Sequence, residues 1–405
     1  MTARPVNAAQ PLVSAIIATH NHGQHISRAL DSLFAQEGLG EEFQLEIIVV
    51  DDASTDGTSE VVRQFPQVRY LQLPHRQGVS AARNAGIRAS TGEYISFLDA
   101  DDAWLPRKLR VQVPLLVTHP EVGVVYSHGI RRRAGKDRLF PDASRAPSGD
   151  VFEAMLMYHS AVHGGCLLIR RDAFDSAGYF DEDLLTAEDL DLSLRLAFHV
   201  KFLFVPEPVM IYNISPHGLW LTSAAHGGAS SDHGRAIEKA MRLLPDSPRY
   251  RRLREEAPIR IALHAMLPFI LIGELTGARA ALLEALRAYP SSGRYPWARD
   301  EVRRVARQLL RHGASPVAEA RLLCAQIEGV TRGGGIRGRW YIRWILADIW
   351  ADIVLSGALR RRVRFREASF AGIRAIAYAP TRPALVVRIG RTLMREFRQR
   401  FRSLV

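Results

Sequence analysis

Short, strongly apolar runs alternate with helical spacings through the first two hundred residues. Val13–Thr19 (VSAIIAT) and Leu45–Val50 (LEIIVV) are dominated by β-branched residues and read as buried strands. Between them, Ser27–Gln36 places Ala29, Leu30, Leu33 and Phe34 on one face of a helix. The pattern repeats with a helix near Thr58–Gln64, a strand at Val68–Leu73, a helix at Ser80–Arg88 and a buried strand at Tyr94–Leu98 (YISFL). Such alternation predicts an α/β fold, a Rossmann-like, mostly parallel sheet with helices on both faces. Ligands of such sheets sit beyond the carboxyl ends of the strands. Two strands here end in acids, at Asp51-Asp52 and at Asp99-Ala100-Asp101-Asp102. The site is expected at that edge.

Further on, Gly164–Arg170 reads as a strand, Leu190–Phe198 as a helix, and Phe202–Val205 and Val209–Tyr212 as two short strands. Ser127–Gly149 is polar, Arg-rich and Pro-containing, so it reads as an excursion or loop. Past Ser230 the alternation stops and long helical patterns take over. The chain therefore divides into an α/β domain over residues 1–230 and an all-α region over 231–405. Ile259–Leu271 is apolar but contains His264 and Pro268 and spans only 13 residues. A membrane-crossing helix needs roughly 20, so a core helix is expected there. Gly277–Pro290 resembles one helix of a helical hairpin.

Charge separates the two parts further. Residues 231–405 carry 34 Arg and Lys against 15 Asp and Glu, net +19, whereas residues 1–230 carry 20 against 27, net −7. Opposite signs argue for different partners. No nucleic-acid module is recognisable, so nucleic acid is not expected. Trp340, Trp344 and Trp350 lie among arginines, the pattern of an interfacial amphipathic helix on an anionic membrane face. A basic solvent face over an ordinary helical core has the same pattern, and both readings stand. The first residues show no apolar h-region, and Cys166 and Cys324 form no disulfide framework or zinc spacing. A cytoplasmic location is expected, with peripheral contact to the inner face of the membrane under the first reading.

Asp99 and Asp101 follow a buried strand two residues apart, so both can face one crevice and hold a hard divalent cation, Mg²⁺ or Mn²⁺. A solvated acidic turn ahead of the helix near Pro106 is the alternative. Asp52 can accept hydrogen bonds from a base or ribose, or the Asp51–Thr55 segment can cap the next helix. Arg83 stands on a helix opening at the same edge, where it can clamp a diphosphate or pair with an acid. Glu188-Asp189 lies roughly 90 residues beyond Asp101. A carboxylate there suits a general base, or a helix start. His20, His22 and His25 fit no usual metal-ligand spacing.

Taken in order, VSAIIATHN, LEIIVVDDASTDGT, GVSAARNAG, GEYISFLDADDAW, GGCLLIR, FDE and AEDLDLSLR resemble the inverting family-2 glycosyltransferases of the GT-A fold, of bacterial cell-surface or exopolysaccharide type. The resemblance covers about residues 11–215. It implies transfer of a sugar from a nucleotide-diphosphate sugar, UDP-sugar foremost, to a glycan or lipid-linked acceptor, with Mg²⁺ or Mn²⁺. It assigns Asp189 as base, Asp52, Arg83, Asp99 and Thr19 to the donor, Glu188 and Gly165 to the acceptor, and Asp101, Asp99 and His217 to the metal. The chain departs from the family in having His20 where Tyr is frequent, Arg76-Gln77-Gly78 where Asn-x-Gly is frequent, and no Arg after Tyr212. Two other classes compete: a sugar-phosphate nucleotidyltransferase and a non-enzymatic basic binding protein. The first normally carries a basic, Gly-rich phosphate loop, whereas the loop after the first strand here (ATHNHGQH) has no Lys or Arg.

Overall fold

The computed structural model describes residues 10–133, 136–140, 146–158, 163–213, 228–264, 275–287, 315–331 and 383–402, with single helical positions between 306 and 375. Its chain forms two compact units, one of residues Met1–Ser223 with Ser231–Ala257, the other of Ala224–Ser230 with Pro258–Val405.

The first unit is built on a nine-stranded sheet. β1 (Leu12–Thr19) lies between β2 (Gln44–Asp51) and β4 (Tyr94–Asp99), and β3 (Val68–Gln72) flanks β2. These four strands are parallel, as their β-branched runs predict. Beyond β4 the sheet is mixed. β8 (Leu167–Arg170) runs antiparallel to both β4 and β6 (Val122–Arg133), while β6 and β9 (Lys201–Asn213) are parallel. The two-residue β5 (Ala103–Trp104) closes that side against β9.

Helices α1 (Ile26–Phe34), α2 (Thr58–Val62), α3 (Val79–Ala89), α4 (Lys108–Thr118), α5 (Phe152–Tyr158), α6 (Ala173–Ala177) and α7 (Glu188–His199) fill the connections. The stripe of Ala29, Leu30 and Leu33 on α1 is fully buried, while Phe34 is exposed and stacks on Phe65. α3 comes so close to the sheet that a Cβ at Gly86 would stand 2.4 Å from Ile16 Cγ2. Only glycine permits that approach without moving the core. Ala82 packs there on Ile48 and Val50.

Two sequence readings are corrected. Ser127–Gly149 is not simply an excursion, because β6 runs on to Arg133 and turns back as β7 (Lys136–Phe140) in an antiparallel hairpin. Its arginines alternate across an edge ladder, which composition alone reads as loop. The two expected short strands, Phe202–Val205 and Val209–Tyr212, are one strand, β9. Its register against β6 slips on both sides of His128, which stands opposite Pro208, with Pro206 left in the bulge. A proline has no N–H for the ladder, so pairing survives there as an irregularity.

The boundary expected at residue 230 is also displaced. From Ser231 onward α8 (Gly228–Leu243), and α9 (Pro248–His264) through Ala257, belong to the first unit. Arg249 pairs with Glu153 at 2.7 Å, and Ala236, Ile237 and Ala240 are buried. In the second unit, α10 (Leu275–Arg287) packs on α11 (Pro316–Thr331), with Leu282, Leu323 and Ile327 buried and Arg279 bonded to Glu319 at 2.7 Å. Trp350 is only 2% exposed, beside buried Leu346, Ala347 and Ala351. Its indole therefore fills the core of this unit and is not presented to a membrane; Trp340 and Trp344 lie outside the described residues. α12 (Pro383–Arg402) is the last described helix, and no described helix is long and apolar enough to cross a membrane.

One cation is entirely inside the sheet domain. Lys108, on the first turn of α4, is 0% exposed; its Nζ donates to Gln112 Oε1 at 2.7 Å and to the Leu167 carbonyl at 3.0 Å, and lies 4.8 Å from the Trp104 ring centroid. Burial pushes its ammonium from 10.5 down to about 7. Between those values the unfolded chain holds the proton and the folded chain does not, so stability rises with pH. Relative to Lys108→Met, the unfolding free energy of the native chain should rise between pH 7.5 and 9.5 by up to about 1.4 kcal/mol per pH unit. A flat or falling difference in urea titrations would contradict a desolvated amine.

Candidate functional site

The sheet register brings the strand ends together. Thr19 is level with Asp51, and Ala18 with Asp99, so β1, β2 and β4 finish along one line. Asp51 is buried and satisfied internally: Tyr70 Oη donates to Oδ2 at 2.5 Å and the Ser54 N–H to Oδ1 at 2.7 Å. The adjacent Asp52 has its N–H on the Thr19 carbonyl at 2.8 Å. Its two oxygens accept the N–H groups of Gln77 at 2.6 Å and Gly78 at 2.8 Å, which anchors the loop entering α3. Ala53 adopts φ +57°, a left-handed turn that redirects the chain after the strand. Thr19 Oγ1 is buried beside this turn without a hydrogen-bond partner.

Arg83 is the centre of the arrangement. Its side chain is 3% exposed, with Nη2 2.7 Å from Asp99 Oδ1 and Nη1 2.8 Å from Glu188 Oε1 and 3.1 Å from Asp189 Oδ1. The Phe180 ring lies 5.2 Å from its guanidinium carbon. Both terminal nitrogens therefore serve carboxylates. Of the two readings the sequence left open, a diphosphate clamp and pairing with an acid, these contacts are the second, and the reason is position: α3 points the side chain between β4 and the start of α7, where acids converge.

One guanidinium among so many acids leaves an excess of negative charge. Burial raises Glu188, and repulsion by Asp189 adds to it, so that its carboxyl is pushed up to about 7. Burial and then repulsion from Asp99 also raise Asp101. Asp102 is raised well above its ordinary value by burial, then by Asp99 and Asp101. At Asp99 burial works the other way from its surroundings, and the charge of Arg83, with lesser help from His163, holds the carboxyl below its ordinary value.

Asp102 and His163 are site residues that sequence reasoning missed. Asp102 is fully buried; its Oδ1 accepts the Asn213 N–H at 2.8 Å while Oδ2 has no hydrogen-bond partner. His163 Nε2 is 3.7 Å from that oxygen and 3.6 Å from Asp99 Oδ2. Asp99, Asp102 and His163 offer ligand atoms that all lie within 4.8 Å of one another, the one such group among the described residues. An orphaned buried carboxylate oxygen with a second carboxylate and an imidazole is a donor set that fits Mn²⁺, and less readily Mg²⁺, which prefers oxygen alone. The four-residue run Asp99–Asp102 held the signal for Asp102; His163 precedes a Gly-Gly pair and had none. Asp101 sits beside this group, its carbonyl fixed by Arg28 and by Asn213 Nδ2 at 2.8 Å. His217 lies outside the described residues.

Asp189 is delivered from two directions. The 3₁₀ turn Gly164–Cys166 donates the Gly164 N–H to Asp189 Oδ2 at 2.9 Å, and a Cβ at Gly164 would stand 3.1 Å from Asp189 Oδ1. Gly165 is buried, and a Cβ there would stand 2.6 Å from Met210 Sδ, so packing of the turn requires glycine at this position. On the other side Ala187 holds φ +62°, a conformation costly for alanine, and thereby turns Glu188 and Asp189 inward at the start of α7.

What maintains that backbone is α8, beyond the expected domain boundary. Asp232 Oδ2 accepts the N–H groups of Leu185 at 3.1 Å and Thr186 at 2.9 Å and the Thr186 hydroxyl at 3.1 Å. One turn and two turns on, Arg235 donates to the Asp183 carbonyl and Lys239 bridges Asp181 at 2.6 Å and Asp191 at 2.8 Å. Asp232→Ala leaves the buried Thr186 N–H and hydroxyl unpaired and should cost about 2–6 kcal/mol at about 1–3 kcal/mol per group. Hydrogen exchange of residues 184–191 should quicken before that of β1 and β4. Uniform acceleration would mean α8 holds the whole unit and not this loop.

These features can be set beside known proteins. Residues 14–178 match the model of Glycosyl transferase family 2. An uncharacterised glycosyltransferase of Nostoc sp. is 37% identical over 140 residues, 33% of this chain and 40% of that protein. One from Rickettsia prowazekii is 30% identical over 209 residues, 51% of this chain and 64% of that protein. The chain thus matches these relatives over 40% and 64% of their lengths. Among solved structures, residues 1–349 of S. aureus TarS in complex with UDP-GlcNAc superpose with a TM-score of 0.54 at 18% identity, covering 79% of this chain and 89% of that one. A Pyrobaculum calidifontis mannosyltransferase with GDP-Man and Mn²⁺ does so with a TM-score of 0.50 at 24% identity, covering 74% and 85%. At those identities the likeness is one of fold. Residues 14–178, which carry β1 to β8 and the acids ending β2 and β4, thus match glycosyltransferase family 2, and the unit they build has a GT-A-like fold.

Proposed function

We propose that this chain is an inverting glycosyltransferase that moves a sugar from a nucleotide-diphosphate sugar to an acceptor hydroxyl. The observation that carries the reading is the placement of Asp189, turned inward by the left-handed Ala187 and oriented by Arg83 and the Gly164 N–H, beside the acids that end β4. In the transfer, the acceptor oxygen bonds to the anomeric carbon as the bond from that carbon to the diphosphate breaks, and the hydroxyl proton passes to an Asp189 oxygen. Glu188, with its carboxyl near neutrality, can hydrogen-bond the acceptor as donor or acceptor. Asp52 and the unpartnered Thr19 Oγ1, together at the β1–β2 end, line the place for the nucleoside.

Asp101, with Asp99, Asp102 and His163 beside it, would hold Mn²⁺ or Mg²⁺, which when bound neutralises charge on the departing diphosphate. Two structural neighbours carry UDP-GlcNAc and, with Mn²⁺, GDP-Man, which makes a uridine or guanosine donor the first choice. The acceptor class is a glycan or a lipid-linked saccharide. The basic second unit would then approach an anionic membrane face through its arginines.

A thermal-shift screen of UDP-, GDP- and dTDP-sugars, with and without Mn²⁺, identifies the donor. With it, Asp189→Asn should lower turnover by at least about 100-fold, within the range for loss of a general base, while UDP or GDP affinity stays within about threefold of native. Near-native turnover would remove Asp189 from this role. Asp101→Ala should abolish the gain in nucleotide affinity that Mn²⁺ brings to the native chain. Equal gains in both proteins, measured by calorimetry, would place the cation elsewhere.

A further inference from the structure

Asp189 and His163 both depend on the Gly164–Cys166 turn, and that turn rests on α4. It runs directly into β8, and the carbonyls at that junction, Cys166 and Leu167, are not left to the strand ladder alone. Side chains supply donors as well. Gln112 Nε2 donates to the Cys166 carbonyl at 2.9 Å, and Lys108 Nζ, at 3.0 Å, shares the Leu167 carbonyl with the Ser96 hydroxyl. Lys108 also holds Gln112 Oε1 at 2.7 Å, and Gln112 Nε2 reaches Ser127 Oγ at 3.0 Å. Both α4 residues are 0% exposed.

A buried amine and amide are a costly way to fill a core; apolar side chains of similar volume pack there at less cost. What these two add is a fixed height for the turn. On its other side the turn presents the Gly164 N–H to Asp189 Oδ2 at 2.9 Å and the His163 ring to Asp99 and Asp102 at 3.6 and 3.7 Å. Two peptide units therefore separate donors buried in the core from the reacting edge. A misplacement of about 1 Å at a catalytic group can cost on the order of 100-fold in rate.

We propose that Lys108 and Gln112 are positioning residues for sugar transfer, setting the Gly164–Cys166 turn and through it the carboxylate of Asp189. This rests on Asp189 being the base. Neither residue touches substrate, so donor binding at the β1–β2 end should be spared.

Lys108→Met and Gln112→Met test the idea, with Ser127→Ala and Asp189→Asn as controls. Nucleoside diphosphate release from the donor selected by thermal shift gives kcat and donor KM, calorimetry gives UDP or GDP affinity, and hydrogen exchange follows residues 163–167. Both methionine variants should lose at least tenfold in kcat, keep donor KM and nucleotide affinity within about twofold, and exchange faster at the turn than in β1 and β4. Ser127→Ala breaks the same buried network without releasing a carbonyl of the turn, and should keep its kcat. If Lys108→Met does not fold, Gln112→Met carries the same comparison. Unchanged exchange at the turn, unchanged kcat in a folded variant, or an equal loss in Ser127→Ala would overturn the proposal. A fully active Asp189→Asn would instead remove the base assignment on which it stands, whatever the methionine variants do.

Discussion

The site depends on a buried guanidinium. Arg83 joins Asp99 at the end of β4 to Glu188 and Asp189 at the start of α7, two elements far apart in the chain. Without it, three carboxylates would share a dry pocket and repel one another, and ionising all three would be prohibitive. With it, Asp99 is held ionised while Glu188 is left near neutrality. The same charge imbalance, added to burial, raises Asp101 and Asp102 above their ordinary values.

Around that centre the fold acts as a set of supports. From beneath, α4 holds the Gly164–Cys166 turn through Lys108 and Gln112. From the side, α8 holds the loop into α7 through Asp232 and Lys239. Both supports bring polar groups into places where apolar ones would stabilise more, and both end on backbone that leads to Asp189. The left-handed Ala187 stores strain at the same place. Stability and geometry are being traded against each other along one short stretch of chain.

The basic second part divides differently from its charge. Residues 231–257 carry part of the positive excess, yet they complete the acidic α/β unit, where Lys239 meets Asp181 and Asp191 and Arg249 meets Glu153. Some of the charge asymmetry between the halves is therefore neutralised inside one unit. Trp350, which its arginine neighbours made look interfacial, fills a core.

Local pattern determined much of this protein. Unbroken apolar runs specify buried parallel strands because such side chains pack on both faces of a sheet, and β1, β2 and β4 follow their runs closely, while the half-buried β3 lies outside them beside β2. Acids directly after those runs had to fall at the carboxyl edge, which located Asp52, Asp99 and Asp101. Tertiary structure decided what each of them meets. Whether Arg83 faces a ligand or three carboxylates depends on where α7 begins, 105 residues later. His163 joins Asp99 and Asp102 only because β8 runs antiparallel beside β4 and brings its own first turn to that edge. The proline-broken β9, the arginine-rich β6–β7 hairpin and the clamp from α8 were hidden for the same reason. Partners distant in sequence satisfy their hydrogen bonds and charges, and no local period records who those partners are.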